Sequence, residues 1–323
     1  MTEATSRRCL LLFPKTFYSF ARVLAGGLEQ RGYEVVTANE EYPENVFGKI
    51  LGKLGLHALL ARTTDWAISR RFLQGRSYEL ALVVKGRGLG HRLIERLRSS
   101  GTRVVAYNFD SFGYNPAPLR WYKEVDRYAT FDYADAETHG LPRVDLFSSL
   151  PEASGPKEIH YDVSAILRNH SNRLEYLDSI LCALKPQRTF LFIFEQNFFT
   201  FVLNVLRSPR LYAKYWGRIS FKPLSYAQYA AVLRSSEYTV DYAHPRQTGI
   251  TIRCFESLSA QTKVITNNPY VTRNPAFAQA LPIVYRGAPD DERLRQQYTA
   301  GRGRIPPRRR RSVADFIAEL VDA

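Results

Sequence analysis

Residues 238–268 read YTVDYAHPRQTGITIRCFESLSAQTKVITNN. The stretch divides into strand, polar loop, short helix and strand. Tyr238–Tyr242 is rich in β-branched and aromatic residues, the composition of a buried strand. His244, Pro245, Arg246, Gln247, Thr248 and Gly249 break the apolar pattern. Ile250 to Ser259 resumes it at helical spacing, with Ile252, Phe255 and Leu258 near one face. Lys263–Thr266 is a second strand, closed by Asn267, Asn268 and Pro269. In an open α/β sheet, ligands bind at the carboxyl ends of the strands. The loop after Tyr242 occupies that position and runs into a helix N-terminus, whose free N–H groups and dipole favour anions. Arg246, Arg253 and the single acid Glu256 surround it, a pattern suited to a phosphate-bearing ligand.

A strand, then HPRQTGITIRCFESL, then a short strand resembles the carboxyl-terminal domain of GT-B glycosyltransferases, especially bacterial enzymes of capsule, exopolysaccharide or lipopolysaccharide assembly. The motif spans residues 240–268; in layout the resemblance covers most of the chain. It implies an α/β fold of two Rossmann-like domains with parallel sheets facing a cleft. It also implies a nucleotide-diphosphate sugar as donor, without a cofactor or a bound metal. A Glu on the helix after this loop usually bonds the donor ribose in that group, and Glu256 holds the position here. Retaining members often carry a second Glu eight residues earlier. This chain has Thr248 there, so the pattern is incomplete and the stereochemical course is open.

The 323 residues suffice for two ordinary domains. At 45% hydrophobic and 24% charged, the composition is globular. No run approaches the roughly 18 apolar residues of a membrane span. Cys9–Phe13 is too short for a signal-peptide core. A cytoplasmic protein is expected, with peripheral attachment at the inner face of the plasma membrane as an option. Cys9, Cys182 and Cys254 sit in apolar contexts without CxxC spacing and read as buried thiols in a reducing compartment. The net charge of +14 fits nucleic acid, an anionic membrane face or phosphorylated small molecules. It also fits a genome that favours Arg.

Arg8–Phe13, a helix over 17–31 and Glu34–Thr37 form a βαβ start and imply a parallel sheet. Residues 44–75 read as two helices. Their apolar face (Leu51, Leu54, Leu56, Leu59, Leu60), rimmed by Lys49, Lys53 and Arg62, suits packing on a sheet or contact with a membrane. Glu79–Val84 is a fully apolar strand. It opens into KGRGLG, residues 85–90, whose glycines alternate and so fail the GxGxxG spacing. Lys85 and Arg87 there would hold an anionic group, or the segment is a tight turn before a helix over His91–Ser99. Arg103–Asn108 is the next strand. Asp110, just past its carboxyl end, is either a loop cap or the base near an acceptor hydroxyl. Arg127–Phe131 and Val144–Ser149 complete the strands of this half. Asp132 and Asp135 read as structural, because a divalent site needs more converging carboxylates.

Residues 150–158 are rich in Pro, Gly and Ser and read as the linker. The domains expected are 1–152 for the acceptor, 153–285 for the nucleotide sugar, and 286–323 as basic tail and terminal helix. The second half begins with a strand, Tyr161–Leu167, and a basic loop carrying Arg168, His170, Ser171 and Arg173. The helix Leu174–Leu184 follows. In the resembling family this loop often meets the donor diphosphate, which would engage Arg168, Arg173 and Ser171. Phe190–Phe194 is a strand, followed by an aromatic helix to Leu206 and a short strand, Arg218–Phe221. Ser225 N-caps the helix Tyr226–Arg234. Leu281–Tyr285 looks like a last strand. Arg308–Arg311 would be a membrane or nucleic-acid patch, or an exposed linker before the helix 312–322 capped by Ser312.

The function expected is sugar transfer from a nucleotide-diphosphate sugar to a glycan or lipid-linked acceptor in bacterial surface polysaccharide synthesis. Catalytic candidates are Asp110 and Arg246, the latter offsetting charge on the departing diphosphate. Ligand-binding candidates are Lys85, Arg87, Arg168, Ser171, Arg173, His244, Gln247, Thr248, Gly249, Arg253 and Glu256. A basic nucleic-acid-binding protein is the alternative from charge, but no RRM, helix-turn-helix or KH signature is present. Another α/β nucleotide-using enzyme, such as an epimerase or reductase, is opposed by the missing GxGxxG after the first strand.

Overall fold

The computed structural model describes residues 7–14, 18–45, 48, 50–51, 54–151 and 155–322, with the side chains of 18 and 19 left aside. It contains two compact units. One comprises Met1–Leu146, Arg246–Gly249 and Ser312–Ala323; the other comprises Phe147–Pro245 and Ile250–Arg311. The expected tail over 286–323 is thus divided between them at residue 311.

The first unit is built on five parallel strands: β1 (Arg7–Leu12), β2 (Tyr33–Ala38), β3 (Leu80–Val84), β4 (Arg103–Asn108) and β5 (Arg127–Thr130). They lie in the order β2-β1-β3-β4-β5. Every residue of β3 is buried, because the sheet is covered on both faces and leaves no polar side. The helices are α1 (Tyr18–Glu29), α2 (His57–Ile68), α3 (His91–Ser99) and α4 (Tyr133–His139). Ser69–Leu73 continues α2 as a wider π turn. Of the apolar face expected over 44–75, Leu51 and Leu60 are buried, whereas Leu54, Leu56 and Leu59 are exposed. Lys49 and Lys53 lie outside the described residues, as does part of the first helix expected there.

Val144–Ser149 is not a strand. One parallel bridge joins Thr130 to Arg143, and the chain then runs irregularly. Val144 and Phe147 are fully buried. The apolar run that suggested a strand is instead core-packed extended chain with single hydrogen bonds, Val144 N–H to the Thr130 carbonyl among them.

The second unit has six parallel strands: β6 (Tyr161–Arg168), β7 (Thr189–Phe194), β8 (Ile219–Ser220), β9 (Ser236–Asp241), β10 (Lys263–Thr266) and β11 (Ile283–Val284). Their order is β11-β10-β9-β6-β7-β8. Its helices are α5 (Arg173–Leu184), α6 (Phe198–Arg207), α7 (Pro209–Tyr215), α8 (Tyr226–Arg234), α9 (Ile252–Ser259) and α10 (Asp291–Gly301). Ser225 caps α8 in a reciprocal box with Gln228. The terminal helix α11 (Val313–Ile317) starts from the same kind of box, Ser312 with Asp315. It packs in the first unit, where the Phe316 ring meets Tyr107 edge-on at 4.9 Å.

Cys9 and Cys254 are buried, as expected, but Cys182 is exposed. It sits one turn after Asp178 on the outer side of α5, beside the Lys214 ammonium. No helix among the described residues is long and apolar enough to cross a membrane.

Candidate functional site

Both sheets reverse direction of growth at one point. In the second unit β6 starts the sheet, β7 and β8 extend one side, and β9 to β11 extend the other. The crevice outside the carboxyl ends of β6 and β9 is therefore the default ligand position. Arg168 ends β6, and the loop after it carries Asn169, His170, Ser171 and Asn172. Ser171 and Asn172 both take left-handed backbone angles, φ +54° and +59°. That tight reversal starts α5 at Arg173, whose Nη1 reaches back 3.5 Å to the Arg168 carbonyl. The loop after β9 is pinned by Asn267 at the end of β10. Its amide accepts from Ala243 N–H at 2.7 Å and donates to the Ala243 carbonyl at 3.0 Å. His244 follows directly.

These two loops and α9 bring together Arg168, His170, Arg173, His244 and Arg253. Loss of hydration, then the charges of Arg173, Arg168 and His244, push the His170 imidazole down to about 4, although part of the ring faces solvent. Burial, then Arg253, pull the Arg173 guanidinium down to about 10. The Nε atoms of Arg173 and Arg253 are buried without a hydrogen-bond partner among the described residues. Five basic groups are held close, two of them with unmet donors. Such a cluster lowers its own electrostatic cost by taking an anion.

Beneath the cluster lies Asp241, 2% exposed at the end of β9. It accepts from Thr251 Oγ1 at 2.8 Å and Thr266 Oγ1 at 3.0 Å. Its charge faces Arg173 and Arg253. Sequence reasoning missed it, although an acid at the last position of an apolar strand was a usable signal. Glu256 is also buried. Its oxygens accept from Tyr226 Oη at 2.7 Å and Tyr229 Oη at 2.6 Å. Burial raises its pKa, and the two tyrosines and Arg253 oppose that rise. Each carboxylate oxygen retains a second lone-pair site. Ser149 extends the chain of hydroxyls to Tyr226 at 2.8 Å. A further buried acid, Glu195 at the end of β7, is ringed by Tyr212, Asn169 and Asn204.

In the first unit the growth reversal lies between β1 and β3. KGRGLG follows β3. Lys85 and Gly86 have φ of +71° and +66°. A side chain on Gly86 would meet the Trp121 ring at 2.2 Å, and one on Gly88 the Glu40 carbonyl at 2.3 Å. The buried Glu40 carboxylate accepts from the Gly86 and Arg87 N–H groups. Burial and neighbouring Glu41 drive its pKa well up. The alternating glycines thus serve a close approach around Glu40. Arg87 lies 3.5 Å from Glu41. Asp110 receives Lys85 Nζ at 2.8 Å and Gln247 Nε2 at 3.2 Å. Ser111 Oγ donates to the Arg246 carbonyl at 2.6 Å.

Asp132 organises the rest of this edge. It N-caps α4 by accepting from Asp135 N–H at 3.1 Å. It also accepts from Thr248 N–H at 2.6 Å, Thr248 Oγ1 at 2.7 Å and Gly249 N–H at 3.0 Å. Gly249 lies against the Phe131 ring, which any added side chain would meet at 2.3 Å. Asp135 accepts from Phe112 N–H at 2.6 Å. The structural reading of these two acids holds. Asp132→Ala would leave several donors without acceptors in a site 1% exposed, a loss of about 4 kcal/mol. The expected result in calorimetry is a melting transition lowered by about 10 °C; a change of only a degree or two would contradict it.

No family model matches the chain, and no curated protein matches it in sequence. Solved structures do. AviGT4, a glycosyltransferase involved in avilamycin A biosynthesis, aligns over 98% of this chain and 92% of its own, with TM-score 0.57 and 12% identity. The lipopolysaccharide outer core galactosyltransferase WaaB aligns over 97% and 94%, with TM-score 0.55 and 10% identity. The UDP-GlcNAc 2-epimerase of Methanocaldococcus jannaschii, in complex with UDP-GlcNAc and UDP, aligns over 98% and 99%, with TM-score 0.55 and 11% identity. The chain has the two-domain Rossmann-like GT-B fold.

Proposed function

We propose that this chain is a glycosyltransferase that moves a sugar from a nucleotide-diphosphate sugar to a glycan or lipid-linked acceptor of bacterial surface polysaccharide, at the inner face of the membrane and without a metal. The observation that carries this reading is the cationic cluster at the carboxyl ends of β6 and β9, with unmet donors on Arg173 and Arg253. Arg168, Ser171, Arg173 and His244 bind the diphosphate, and Arg253 stands behind them. Glu256, its carboxylate fixed by Tyr226 and Tyr229, takes the ribose hydroxyls on its remaining lone pairs. Arg246 offsets charge on the departing diphosphate. Gln247, Thr248 and Gly249 shape the loop, while Lys85 and Arg87 act on the acceptor side with Asp110 as base. Nucleic acid is not a partner in this account.

The M. jannaschii epimerase among the structural neighbours favours a second reading, an epimerase acting on the same class of ligand. Each nucleotide sugar incubated alone, and followed by proton NMR, separates the two. A transferase leaves C2 of the sugar unchanged and releases nucleoside diphosphate when acceptor glycan is added. Conversion to a 2-epimer without acceptor overturns the transferase reading.

His170 gives this site a pH signature. The folded value lies below the ordinary 6.5, so the native ring refuses a proton that the unfolded chain accepts between about 4 and 6.5. The stability tied to this ring is therefore present above pH 6.5 and is lost as pH falls toward 4. A diphosphate beside the ring raises its pKa, so binding takes up a proton in that window and tightens as pH falls through it. UDP-glucose is the suitable probe, since it lacks the terminal phosphate whose own pKa is about 6. Calorimetry in buffers of different ionisation heat should show uptake at pH 5.5, absent in His170→Gln. Equal uptake by wild type and variant would contradict the assignment.

A further inference from the structure

The second unit carries an apolar surface that its own fold leaves uncovered. Helix α6 presents Phe198, Phe199, Leu203 and Leu206 to solvent, with Phe199 and Leu206 each about three-quarters exposed (73% and 74%). Positions 198, 199, 203 and 206 fall on one side of a helix. The opposite side places Phe201 in the core. Phe201 in turn gathers three rings: its ring centroid lies 6.0 Å from Phe198, 5.9 Å from Trp216 and 5.2 Å from Phe221. Trp216 and Phe221 are themselves 64% and 47% exposed. The apolar side chains are therefore one continuous patch, larger than scattered surface hydrophobes explain.

The segment that builds the patch carries charge of one sign. Between Gln196 and Ser236 there is no Asp or Glu, while Arg207, Arg210, Lys214, Arg218, Lys222 and Arg234 are all present. Arg207, Arg210, Arg218 and Lys222 are exposed and make no ion pair among the described residues. Lys214 is bound to Asp178 of α5. The other acid near this edge, Glu175, accepts from Ser208. An aromatic and aliphatic face fringed by cations, with its few acids already engaged, complements a surface that is negative outside and apolar beneath.

We propose that α6, with Trp216 just past α7 and Phe221 just past β8, forms a docking face for an anionic lipid bilayer. Phe198, Phe199, Leu203 and Leu206 enter the headgroup boundary, Trp216 sits at its polar level, and the arginines meet lipid phosphates. The aromatic tip and the cationic fringe act together, because neither a few apolar side chains nor four or five charges alone hold a protein stably on a membrane. This deepens the membrane part of the proposed function, yet its test reads vesicle binding alone, so either can fail without the other.

The test is co-sedimentation of the full chain with vesicles of phosphatidylcholine, with and without one-third phosphatidylglycerol. The wild type should bind the anionic vesicles, bind the neutral ones far less, and detach as salt rises. Phe199→Ser with Leu206→Ser should weaken binding by about a hundredfold. Arg207→Ser with Arg210→Ser should weaken it by about fivefold for each residue. These side chains are exposed, so all variants should melt as the wild type does. Three results overturn the proposal. Both double variants bind like wild type; or neutralising Arg308–Arg311 alone abolishes binding; or the wild type is a dimer that binds no vesicle and that Phe199→Ser with Leu206→Ser turns into monomer, which makes a second copy the occupant.

Discussion

Asp110→Asn lowers kcat by about a thousandfold and leaves nucleotide affinity unchanged. Positioned general bases contribute roughly two to four orders of magnitude. Asp110 stands two residues past β4, at the sheet edge where ligands collect, and Lys85 and Gln247 fix its carboxylate from two sides. The asparagine keeps the shape and still accepts from Lys85, so the edge stays folded, but its amide cannot take a proton from an acceptor hydroxyl. The cationic cluster proposed for the diphosphate is built by other elements, from β6, β9 and α9, and does not need the Asp110 charge. A kcat within threefold of wild type would make Asp110 a strut for the β3 and β4 loops and return its role to that of a loop cap.

Arg173→Ala weakens nucleoside diphosphate binding by about a hundredfold, or about 2.7 kcal/mol. Charge-assisted contacts to phosphate are the stronger kind, and loss of one partner from a desolvated pair costs about 2–5 kcal/mol. Arg173 combines a buried, unmet Nε with a guanidinium already pulled down to about 10 by burial and by Arg253. Arg168 offers the contrast. It is exposed and bonded to Gln196, so Arg168→Ala should cost only severalfold. Isothermal titration with UDP and GDP reads both. Equal effects of the two substitutions would place the phosphates elsewhere.

The sheets were legible because parallel strands covered on both faces leave unbroken apolar runs. LALVV at β3 is such a run. The strand ending in Asp241, SEYTVD, is buried throughout although Ser236, Glu237, Thr239 and Asp241 interrupt its apolar pattern, and its β-branched and aromatic residues made it readable. Helix α9 was legible because its apolar residues Ile252, Phe255 and Leu258 repeat at helical spacing. Helix α10 was not: in DERLRQQYTAG only Leu294, Tyr298 and Gly301 are buried, and the surrounding charge hides that single stripe. Helix α7 was missed for a similar reason, with Tyr212 and Tyr215 as its buried residues. Val144–Ser149 misled because burial without a neighbouring strand gives the same apolar pattern. The candidate site was half readable. Arginines and glycines after strands announce a ligand loop, but the groups that hold them lie far off in sequence. Tyr226 and Tyr229 precede Glu256 by 30 and 27 residues. Asp132 and Thr248 are 116 apart. Glu40 lies under a turn 46 residues later, and nothing local to it signals that role.

The central claim is that the second unit holds a nucleoside diphosphate between its cationic cluster and Glu256. Thermal unfolding against UDP, GDP, CMP, dTDP, ADP and a short oligonucleotide tests it most directly, with Glu256→Gln and Arg173→Ala run alongside. Glutamine suits the first position because it fills the same space and keeps an acceptor for the tyrosines. A ligand at about a hundred times its Kd adds about 2.7 kcal/mol to the native state. One nucleoside diphosphate should raise the melting temperature of the wild type, and both variants should lose most of that rise. If only the oligonucleotide stabilises the protein, and the two variants respond as the wild type does, the cluster serves nucleic acid and the glycosyltransferase account is wrong.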